Sequence, residues 1–236
     1  YSRRMVNPIR KYIPELTLNK IYIIPNGVNV KRFRPGLQTD FLKNKLGIAR
    51  ERVVLYVGRI SPSKGLKELI KAAAIVVKEV PNVKFILVGG AAPSHIGFLR
   101  ELKKEVRKKG CSEKVIFAGE VQNELIPFLD NLADIFVIPS RSEGITRSML
   151  EAMSCGVPVI STAVGGNPDA VIDGKTGYLI PVGDYKMMAR RIIQLLKDEE
   201  LRHRMGINAR KLVLQKFSME KNINKLVEVL KRTCNE

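Results

Sequence analysis

Cysteine and histidine are scarce in this 236-residue chain and tryptophan is absent, which excludes several kinds of site. The three cysteines, Cys111, Cys155 and Cys234, lie far apart and form no Cys-x-x-Cys pair, which favours free thiols in a reducing cytosol over zinc ligands. The two histidines, His95 and His203, stand alone, so neither a His/Cys metal cluster nor a Ser-His-Asp arrangement is evident. Catalysis by a local triad is therefore not expected.

Long apolar runs are also missing from the sequence. No run approaches the roughly 20 residues that a membrane-spanning helix needs, so we expect no membrane span. The first five residues have neither an apolar core nor a small-residue cleavage site, so we see no secretion signal and expect a cytoplasmic protein. Because the chain begins with Tyr1 and not with methionine, we expect it to be a fragment of a longer protein.

Acidic residues are outnumbered, since 23 Asp and Glu face 41 Lys and Arg and give a formal net charge of +18. Such a surface attracts nucleic acid, anionic lipid headgroups or phosphorylated substrates, and the charge alone does not choose among them. The basic residues are densest between Arg100 and Lys109, where they would cover most of one exposed helix. This stretch fits a solvated helix face, or a patch that contacts acidic lipid at the inner membrane surface or an anionic substrate.

From Gly47 onward a short apolar run, a turn and a segment of helical period alternate along the chain. This alternation predicts βαβ units in a Rossmann-like α/β fold, an open parallel sheet with helices on both faces and ligands at the carboxyl ends of its strands. The expected strands are 53–57, 84–88, 114–118, 135–138 and 157–161. The expected helices are 65–79, 97–109, 124–131, 145–154, 187–196, 201–216 and 219–230.

The flanks of this alternating region have a different character. Residues 1–20 are basic and are interpreted as a connector, and the run 21–24 (Ile-Tyr-Ile-Ile) before a Pro-Asn-Gly turn has the composition of a strand. From residue 184 onward the pattern is all-helical. We therefore place one domain at residues 21–217 and a separate C-terminal helix at residues 218–236.

The first group of residues with a chemical role is Gly58-Arg59-Ile60-Ser61-Pro62-Ser63-Lys64-Gly65, which joins an expected strand to an expected helix. A glycine at the carboxyl end of a strand lets a ligand approach the backbone, and Arg59 and Lys64 supply two cations beside it. The segment is neither a Walker A loop nor a Gly-x-Gly-x-x-Gly fingerprint. It outlines a phosphate site, with surface ion pairs for the two cations as the alternative.

The second group runs from Glu143 to Glu151 and follows the apolar run 135–138. Eight residues of helix rise about 12 Å, so the two carboxylates cannot hold one small group but could hold opposite ends of a long ligand. If a helix begins near Ile145, its free amides offer an anion site between them. A sugar at Glu143, a diphosphate at the amides and a ribose at Glu151 would fit this spacing. The alternatives are that Glu143 caps the helix and that Glu151 is solvated.

The spacing Glu-x7-Glu in this setting resembles the signature of the retaining GT-B glycosyltransferases of family 4. Further segments resemble that family in the same order, and the likeness covers residues 21–217. These segments are 24–35, 56–65, 152–160, 165–169 and 174–179. The resemblance implies that residues 21–217 are the C-terminal, nucleotide-sugar-binding half of a GT-B fold. It also implies that the helix at 218–236 packs back toward an N-terminal domain.

The resemblance implies roles for individual residues. Arg59 and Lys64 would hold the donor diphosphate and Glu143 the transferred sugar, and these three form the expected catalytic set. Glu151 would bind the ribose hydroxyls. The remaining donor-binding positions, which would line the base or cradle the phosphates and the sugar, are Gly58, Gly89, Gly90, Val121, Gly144, Ile145, Thr146 and Arg147. Many members of the family read Glu-Gly-Phe-Gly here, and this chain departs from them with Thr146 at the second glycine.

The expected activity is that of a hexosyltransferase that takes a nucleoside-diphosphate sugar as donor and needs no further cofactor. No Asp-x-Asp stands in the sequence, so we expect no metal. The acceptor, a sugar, a lipid-linked sugar or a small molecule, would bind to the N-terminal domain of the full-length protein, so this fragment is expected to bind donor without turnover. The alternatives are half of a sugar-nucleotide epimerase or hydrolase, and a basic nucleic-acid-binding module, for which no recognised motif is present.

Overall fold

The apolar runs of the sequence form the strands of one six-stranded parallel sheet. The computed structural model describes Ile13 and residues 21–234. Across the sheet the strand order is β3-β2-β1-β4-β5-β6, so the chain reverses its direction of travel between β1 and β4. The strands are β1 (Arg52–Val57), β2 (Val83–Val88), β3 (Val115–Gly119), β4 (Ile135–Ile138), β5 (Val159–Thr162) and β6 (Gly177–Ile180).

The helices cover both faces of this sheet. Packing contacts join α2 with α3 and α7 on one side, and α4 with α1 and α5 on the other, where α8 packs against α5. Within the described part of the chain the helices are α1 (Asp40–Leu46), α2 (Leu66–Glu79), α3 (Ile96–Lys108), α4 (Ile126–Leu132), α5 (Arg147–Ser154), α6 (Asn167–Ala170), α7 (Tyr185–Lys197), α8 (Glu199–Lys216) and α9 (Met219–Cys234).

The core lies between the sheet and these helices. All four residues of β4 are buried, as are Val53 to Tyr56 of β1, because helices cover both faces of the central strands. Cys111 and Cys155 are buried free thiols, as packed small residues would be. No helix among the described residues is long and apolar enough to cross a bilayer.

All five expected strands and all seven expected helices are confirmed, with ends shifted by zero to four residues. Three short elements were not anticipated, namely β6, α1 and α6. The strand-like run 21–24 is a wrong prediction, because these residues join no ladder in the structure. The chain here lies beside the junction of α8 and α9, where Asn222 Nδ2 donates to the Pro25 carbonyl at 3.0 Å, and not at an edge of the sheet. Apart from Ile13, the expected connector at residues 1–20 lies outside the described residues.

Candidate donor-binding site

The candidate site lies where β1 and β4 end side by side. In an open parallel sheet the crevice at the carboxyl ends of the two strands where the strand order reverses is the usual ligand site. The loop after β1 holds Gly58, Arg59 and Lys64, and the loop after β4 holds Glu143 and Gly144. Residues separated by 79 positions in sequence, Lys64 and Glu143, meet in this crevice.

The loop after β1 is shaped by its own backbone and by the neighbouring strand end. The Gly58 N–H donates to the Val88 carbonyl at 3.0 Å, and the buried Tyr56 hydroxyl donates to the Arg59 carbonyl at 2.8 Å. Burial, with a smaller contribution from Glu143, raises the pKa of Tyr56, so its hydroxyl remains a donor. The Arg59 side chain is exposed, and its guanidinium has neither an ion-pair nor a hydrogen-bond partner among the described residues. This loop therefore carries an exposed cation that is not paired within the described part of the chain.

Lys64 and Glu143 form an ion pair whose side chains are only 16% and 13% exposed. Ser140 Oγ donates to the same carboxylate oxygen, Oε1, at 2.7 Å. The two loops can approach because Gly65, at φ +64°, lies against Pro139, where a Cβ would collide with the Pro139 carbonyl oxygen. The alternative of separate surface ion pairs for Arg59 and Lys64 does not describe this arrangement, since Lys64 pairs with the other candidate site residue.

The helix that carries the second carboxylate begins two residues later than expected. The sequence suggested a start near Ile145, whereas α5 begins at Arg147, after an extended Thr146 with φ −71° and ψ 120°. Residues 144–146 are kept out of the helix because the Gly144 carbonyl accepts from the Gly166 N–H at 2.8 Å and the Ile145 side chain is buried. The predicted helical start at Ile145 is thus corrected.

The first backbone amides of α5 are open. The Leu150 N–H reaches back to the Thr146 carbonyl at 3.3 Å, but within the described chain no acceptor is recorded for the amides of Arg147, Ser148 and Met149. Thr146 occupies the N-cap position, yet its hydroxyl does not accept from any of them. Free amides at a helix N-terminus form a site for anions.

Glu151 lies one turn into α5, and its side chain is 15% exposed beside the Arg147 guanidinium at 3.4 Å. Burial raises the pKa of Glu151, while Arg147 and Arg32 oppose that effect. The carboxylate lines a cavity of about 390 Å³. Its other polar lining residues are Asn29, Arg32, Asn123, Arg147 and Ser148.

Sequence reasoning missed Arg32, Asn123 and Ser148 as neighbours of Glu151. Arg32 and Asn123 come together through a hydrogen bond from the guanidinium to the Asn123 carbonyl. Ser148 donates to the Val57 carbonyl at 2.8 Å and so holds the first turn of α5 against the end of β1. Only the position of Arg32, inside a segment that resembles the family, could have suggested it.

Gly89, Gly90 and Val121 lie at the same edge of the sheet, after β2 and β3. The Gly89 N–H donates to the Gly119 carbonyl, and the Ile60 N–H donates to the Gly90 carbonyl, both at 2.8 Å. These residues continue the crevice beyond the β1 loop. None of Gly89, Gly90 and Val121, all of which the structure describes, lines the cavity beside Glu151.

Asp130 on α4 is a buried group that the sequence did not reveal. Its side chain is fully buried, and neither carboxylate oxygen has a hydrogen-bond partner among the described residues. Burial, reinforced by the nearby Glu151, raises the pKa of Asp130 well above its usual value. The group therefore lies near the Glu151 end of the site as a carboxyl whose charged form is disfavoured by burial. Elsewhere in the described chain, no group of three or more His, Cys, Asp or Glu is placed to hold a metal ion.

Comparison with known proteins decides the family. The profile of the family described as Glycosyl transferases group 1 matches residues 38–212. The chain belongs to the group 1 glycosyltransferases. The match spans all six strands and every candidate site residue.

Individual group 1 glycosyltransferases show which part of the architecture this chain represents. It is 36% identical over 184 residues to the N-acetyl-alpha-D-glucosaminyl L-malate synthase of Bacillus anthracis, covering 78% of this chain and 46% of that protein. The crystal structure of the C-terminal domain of LpcC from Francisella tularensis has a TM-score of 0.76 and 29% identity, and the match covers 82% of this chain and 100% of that one. The chain thus spans about half the length of the curated relatives it matches.

Several of the similar structures contain a bound nucleotide, and one of these complexes shows a whole nucleotide sugar. HepE from Anabaena, crystallised with UDP-glucose, has a TM-score of 0.87 and 26% identity, and the match covers 97% of this chain and 62% of that one. The Rossmann-like open parallel sheet predicted from the sequence is confirmed as the fold of a C-terminal GT-B domain.

Proposed function

We propose that this domain binds a nucleoside-diphosphate sugar as the donor half of a retaining family 4 hexosyltransferase. The observation that carries the proposal is the crevice between β1 and β4, which brings together an unpaired guanidinium, a buried lysine–carboxylate pair and open helix amides. These groups suit a ligand that has a diphosphate between two hydroxyl-rich ends. The UDP-glucose held by HepE is a ligand of that shape.

Each end of the donor is assigned to one side of the crevice. Arg59, Lys64 and the first amides of α5 bind the diphosphate, and Glu143 binds the transferred sugar. Glu151 binds the ribose from the cavity of about 390 Å³. The backbone near Gly89, Gly90 and Val121 lines the base. In this arrangement the diphosphate takes over Lys64 from its pairing with Glu143 and leaves that carboxylate free for sugar hydroxyls.

The chemistry that these groups support is departure of the diphosphate. The bond between the anomeric carbon and the diphosphate oxygen breaks, and its electron pair leaves with the nucleoside diphosphate. The acceptor hydroxyl forms the new bond to the anomeric carbon and passes its proton to the departing diphosphate, with configuration retained. Arg59, Lys64 and the helix amides stabilise the growing negative charge, which is how preorganised donors lower a barrier of this kind. Because these groups offset that charge without a metal, we propose metal-independent binding.

Turnover requires a second domain that carries the acceptor. Helix α9 offers a surface for it, since Ile223, Leu226, Val227 and Leu230, each 42% to 54% exposed, recur at helical spacing. We propose that this stripe packs against the N-terminal domain of the full-length parent, and that this chain alone binds donor without transferring sugar. The acceptor is a sugar, a lipid-linked sugar or a small molecule.

The basic surface of α3 fits a peripheral position at the inner, cytoplasmic membrane surface. Arg100, Lys104, Arg107 and Lys108 are exposed, and Ile96 in the first turn is 43% exposed. Cations beside an exposed apolar residue suit an anionic lipid surface. We expect the chain to co-sediment with vesicles that contain phosphatidylglycerol but not with phosphatidylcholine vesicles, and equal binding to both would contradict this contact.

Titration calorimetry tests the proposed function against its alternatives. The chain should bind one member of a panel of uridine, guanosine and adenosine diphosphate sugars, with only weak, salt-sensitive binding to short duplex DNA. Tight DNA binding that persists at high salt, without any nucleotide-sugar binding, would favour a nucleic-acid-binding module. The full-length parent, given donor and acceptor extracts, should form a glycoside, whereas free sugar or an epimerised donor would indicate a hydrolase or an epimerase.

A further inference from the structure

A network of buried polar side chains lies directly beneath the loop that joins β4 to α5. Ser140, Ser161, Thr162 and Asn167 are each fully buried, although none of them belongs to the expected site. They come from the loop that follows β4, from β5 and from the first residue of α6. Because an unpaired buried polar group is costly, such a network holds one arrangement of its hydrogen bonds.

One branch of the network reaches the sugar end of the crevice. Thr162 Oγ1 donates to the Ser140 carbonyl at 2.5 Å, and Ser140 Oγ donates to Glu143 Oε1 at 2.7 Å. The backbone adds a second attachment, since the Gly166 N–H donates to the Gly144 carbonyl at 2.8 Å. The β5–α6 loop is thus fastened to both Glu143 and Gly144.

The other branch reaches the N-cap of α5. Thr146 Oγ1 donates to Asn167 Oδ1 at 3.1 Å, and Asn167 Nδ2 donates to Ser161 Oγ at 2.9 Å. Ser161 Oγ completes the chain by donating to the Thr162 carbonyl at 3.1 Å. Both polar atoms of the Asn167 side-chain amide are therefore hydrogen-bonded, and the Thr146 hydroxyl is directed toward α6.

The direction of the Thr146 hydroxyl matters because Thr146 is the N-cap residue of α5. A threonine at an N-cap normally accepts a hydrogen bond from the second or third amide of its helix. Here those amides belong to Ser148 and Met149, and Thr146 makes no such bond. The Thr146 hydroxyl is thus bonded to Asn167, and the Ser148 and Met149 amides, which we propose bind the diphosphate, make no hydrogen bond to that hydroxyl.

We infer that Asn167 is a positioning residue that holds the Thr146 hydroxyl away from the α5 amides and so keeps them available for the donor diphosphate. This inference rests on the proposed function. It adds Asn167 to the residues that set diphosphate affinity and explains how Thr146, already an expected donor-binding position, takes part. Without Asn167 the Thr146 hydroxyl turns and caps α5, and it then competes with the ligand for the same N–H groups.

The test is a mutant cycle on the 236-residue chain, with uridine, guanosine or adenosine diphosphate, whichever binds the unmodified protein most tightly. Asn167→Ala should lower affinity about fivefold, the usual strength of an N-cap side-chain bond. In a Thr146→Val background, which keeps the β-branched shape but has no hydroxyl, Asn167→Ala should change affinity by less than about twofold. Asn167→Ser serves as a second variant if the alanine variant folds poorly.

The cycle separates positioning from general damage. If Asn167→Ala weakens binding equally with and without the Thr146 hydroxyl, the competition described here does not exist and the inference is overturned. Amide hydrogen exchange gives an independent readout, because the Ser148 and Met149 amides should become more protected in Asn167→Ala but not in the double variant. If the unmodified chain binds none of the three diphosphates, the proposed function fails and not this inference alone.

Discussion

Arg59 and Lys64 carry the same charge in the same loop, but their surroundings differ. Arg59 is exposed and unpaired among the described residues, whereas Lys64 is mostly buried against Glu143. The Arg59 guanidinium can bind a diphosphate without breaking an existing ion pair, so its proposed role is ligand binding alone. Lys64 also holds the two loops of the crevice together, so its loss has a structural consequence as well.

We therefore predict that Arg59→Ala weakens nucleoside-diphosphate binding about 10- to 150-fold, since hydrogen bonds to charged groups contribute about 1.5 to 3 kcal/mol. Its melting temperature should stay within about 2 °C of the unmodified protein, because surface substitutions change stability little. Arg100→Ala on α3 removes an exposed arginine far from the crevice and is the matched control for calorimetry. Equal affinity in the Arg59 and Arg100 variants would remove Arg59 from the site.

Lys64→Ala should lose affinity by a similar factor and should also be less stable. The substitution leaves the Glu143 carboxylate, 13% exposed, with Ser140 as its remaining side-chain partner. A buried polar group that loses a partner costs about 1 to 3 kcal/mol, and a charged group costs more. Chemical denaturation of the Arg59 and Lys64 variants side by side checks this difference. A Lys64→Ala variant as stable as Arg59→Ala would show that the ion pair does not stabilise the fold.

Asp130 gives a prediction that depends on pH. Its pKa is raised in the folded state by burial and by Glu151, so the folded chain holds this proton more tightly than the unfolded chain does. The stability from this group is complete below the unfolded value of about 3.9 and is lost as pH rises through the folded pKa. Each unit of difference between the two pKa values amounts to about 1.4 kcal/mol.

Asp130→Asn does not titrate at this position and should gain stability over the unmodified chain as pH rises from about 4 to 9. Denaturation curves across that range measure the difference. Asp40→Asn, at the exposed start of α1, is the control and should show no comparable trend. A stability difference for Asp130→Asn that stays constant with pH would show that the buried carboxyl is paired or solvated.

Helix α5 and the loop before it organise the whole site. The loop carries Glu143, the first turn has open amides, and Glu151 lies a turn further on. Under the proposed function this one short element would contact three parts of the donor. Helix α4 packs against α5 and places Asp130 beneath it. Two further contacts fix the position of α5. Ser148 donates to the end of β1, and the buried network joins the start of α5 to β5.

The two carboxylates of this element should be separable in binding. Glu151→Ala should weaken a free nucleoside diphosphate and the corresponding sugar nucleotide alike, since it removes a ribose contact. Glu143→Ala should weaken only the sugar nucleotide, because its loss leaves Lys64 unpaired and available to the diphosphate. Calorimetry with both ligands on both variants measures this pattern. Parallel losses on both ligands for both variants would contradict the assignment of the two ends.

The sequence predicted the elements better than it predicted the contacts. Apolar runs and helical periods identified five strands and seven helices, because the spacing of apolar residues within a segment reflects which of its side chains become buried. Strand β6 was not predicted because it has only four residues and begins with Gly177. Helix α1 was not predicted because its seven residues lie in a polar, basic region. The late start of α5 depends on Gly166, which follows it in the chain and is brought alongside by β5.

The contacts that define the site were less predictable for the same reason. Of the expected residues, Lys64 and Glu143 are in contact, Arg59 lies in the same loop as Lys64, and Glu151 lines a separate cavity beside α5. The pairing of Lys64 with Glu143 and that of Thr146 with Asn167 join residues 79 and 21 positions apart. No local pattern encodes such pairs, and the buried Asp130 contradicts the apolar pattern around it.

On the scale of the whole molecule, the chain is a complete six-stranded sheet with a crevice at its reversal point, joined to a C-terminal helix with an exposed apolar stripe. Under the proposed function the crevice binds the diphosphate with cations and amides, and the stripe packs against another domain. Donor binding and transfer are then separable. We expect binding to be measurable on this chain and transfer only when the proposed N-terminal domain is present.

The most direct test of donor binding is the melting temperature of this chain with and without a panel of uridine, guanosine and adenosine diphosphate sugars. A ligand at a hundredfold excess over its dissociation constant stabilises the folded state by about 2.7 kcal/mol, which for this size raises the melting temperature by about 5 to 10 °C. We predict such a rise for at least one sugar nucleotide, undiminished by EDTA because cations and amides hold the diphosphate. A melting temperature that no member of the panel changes would contradict the account.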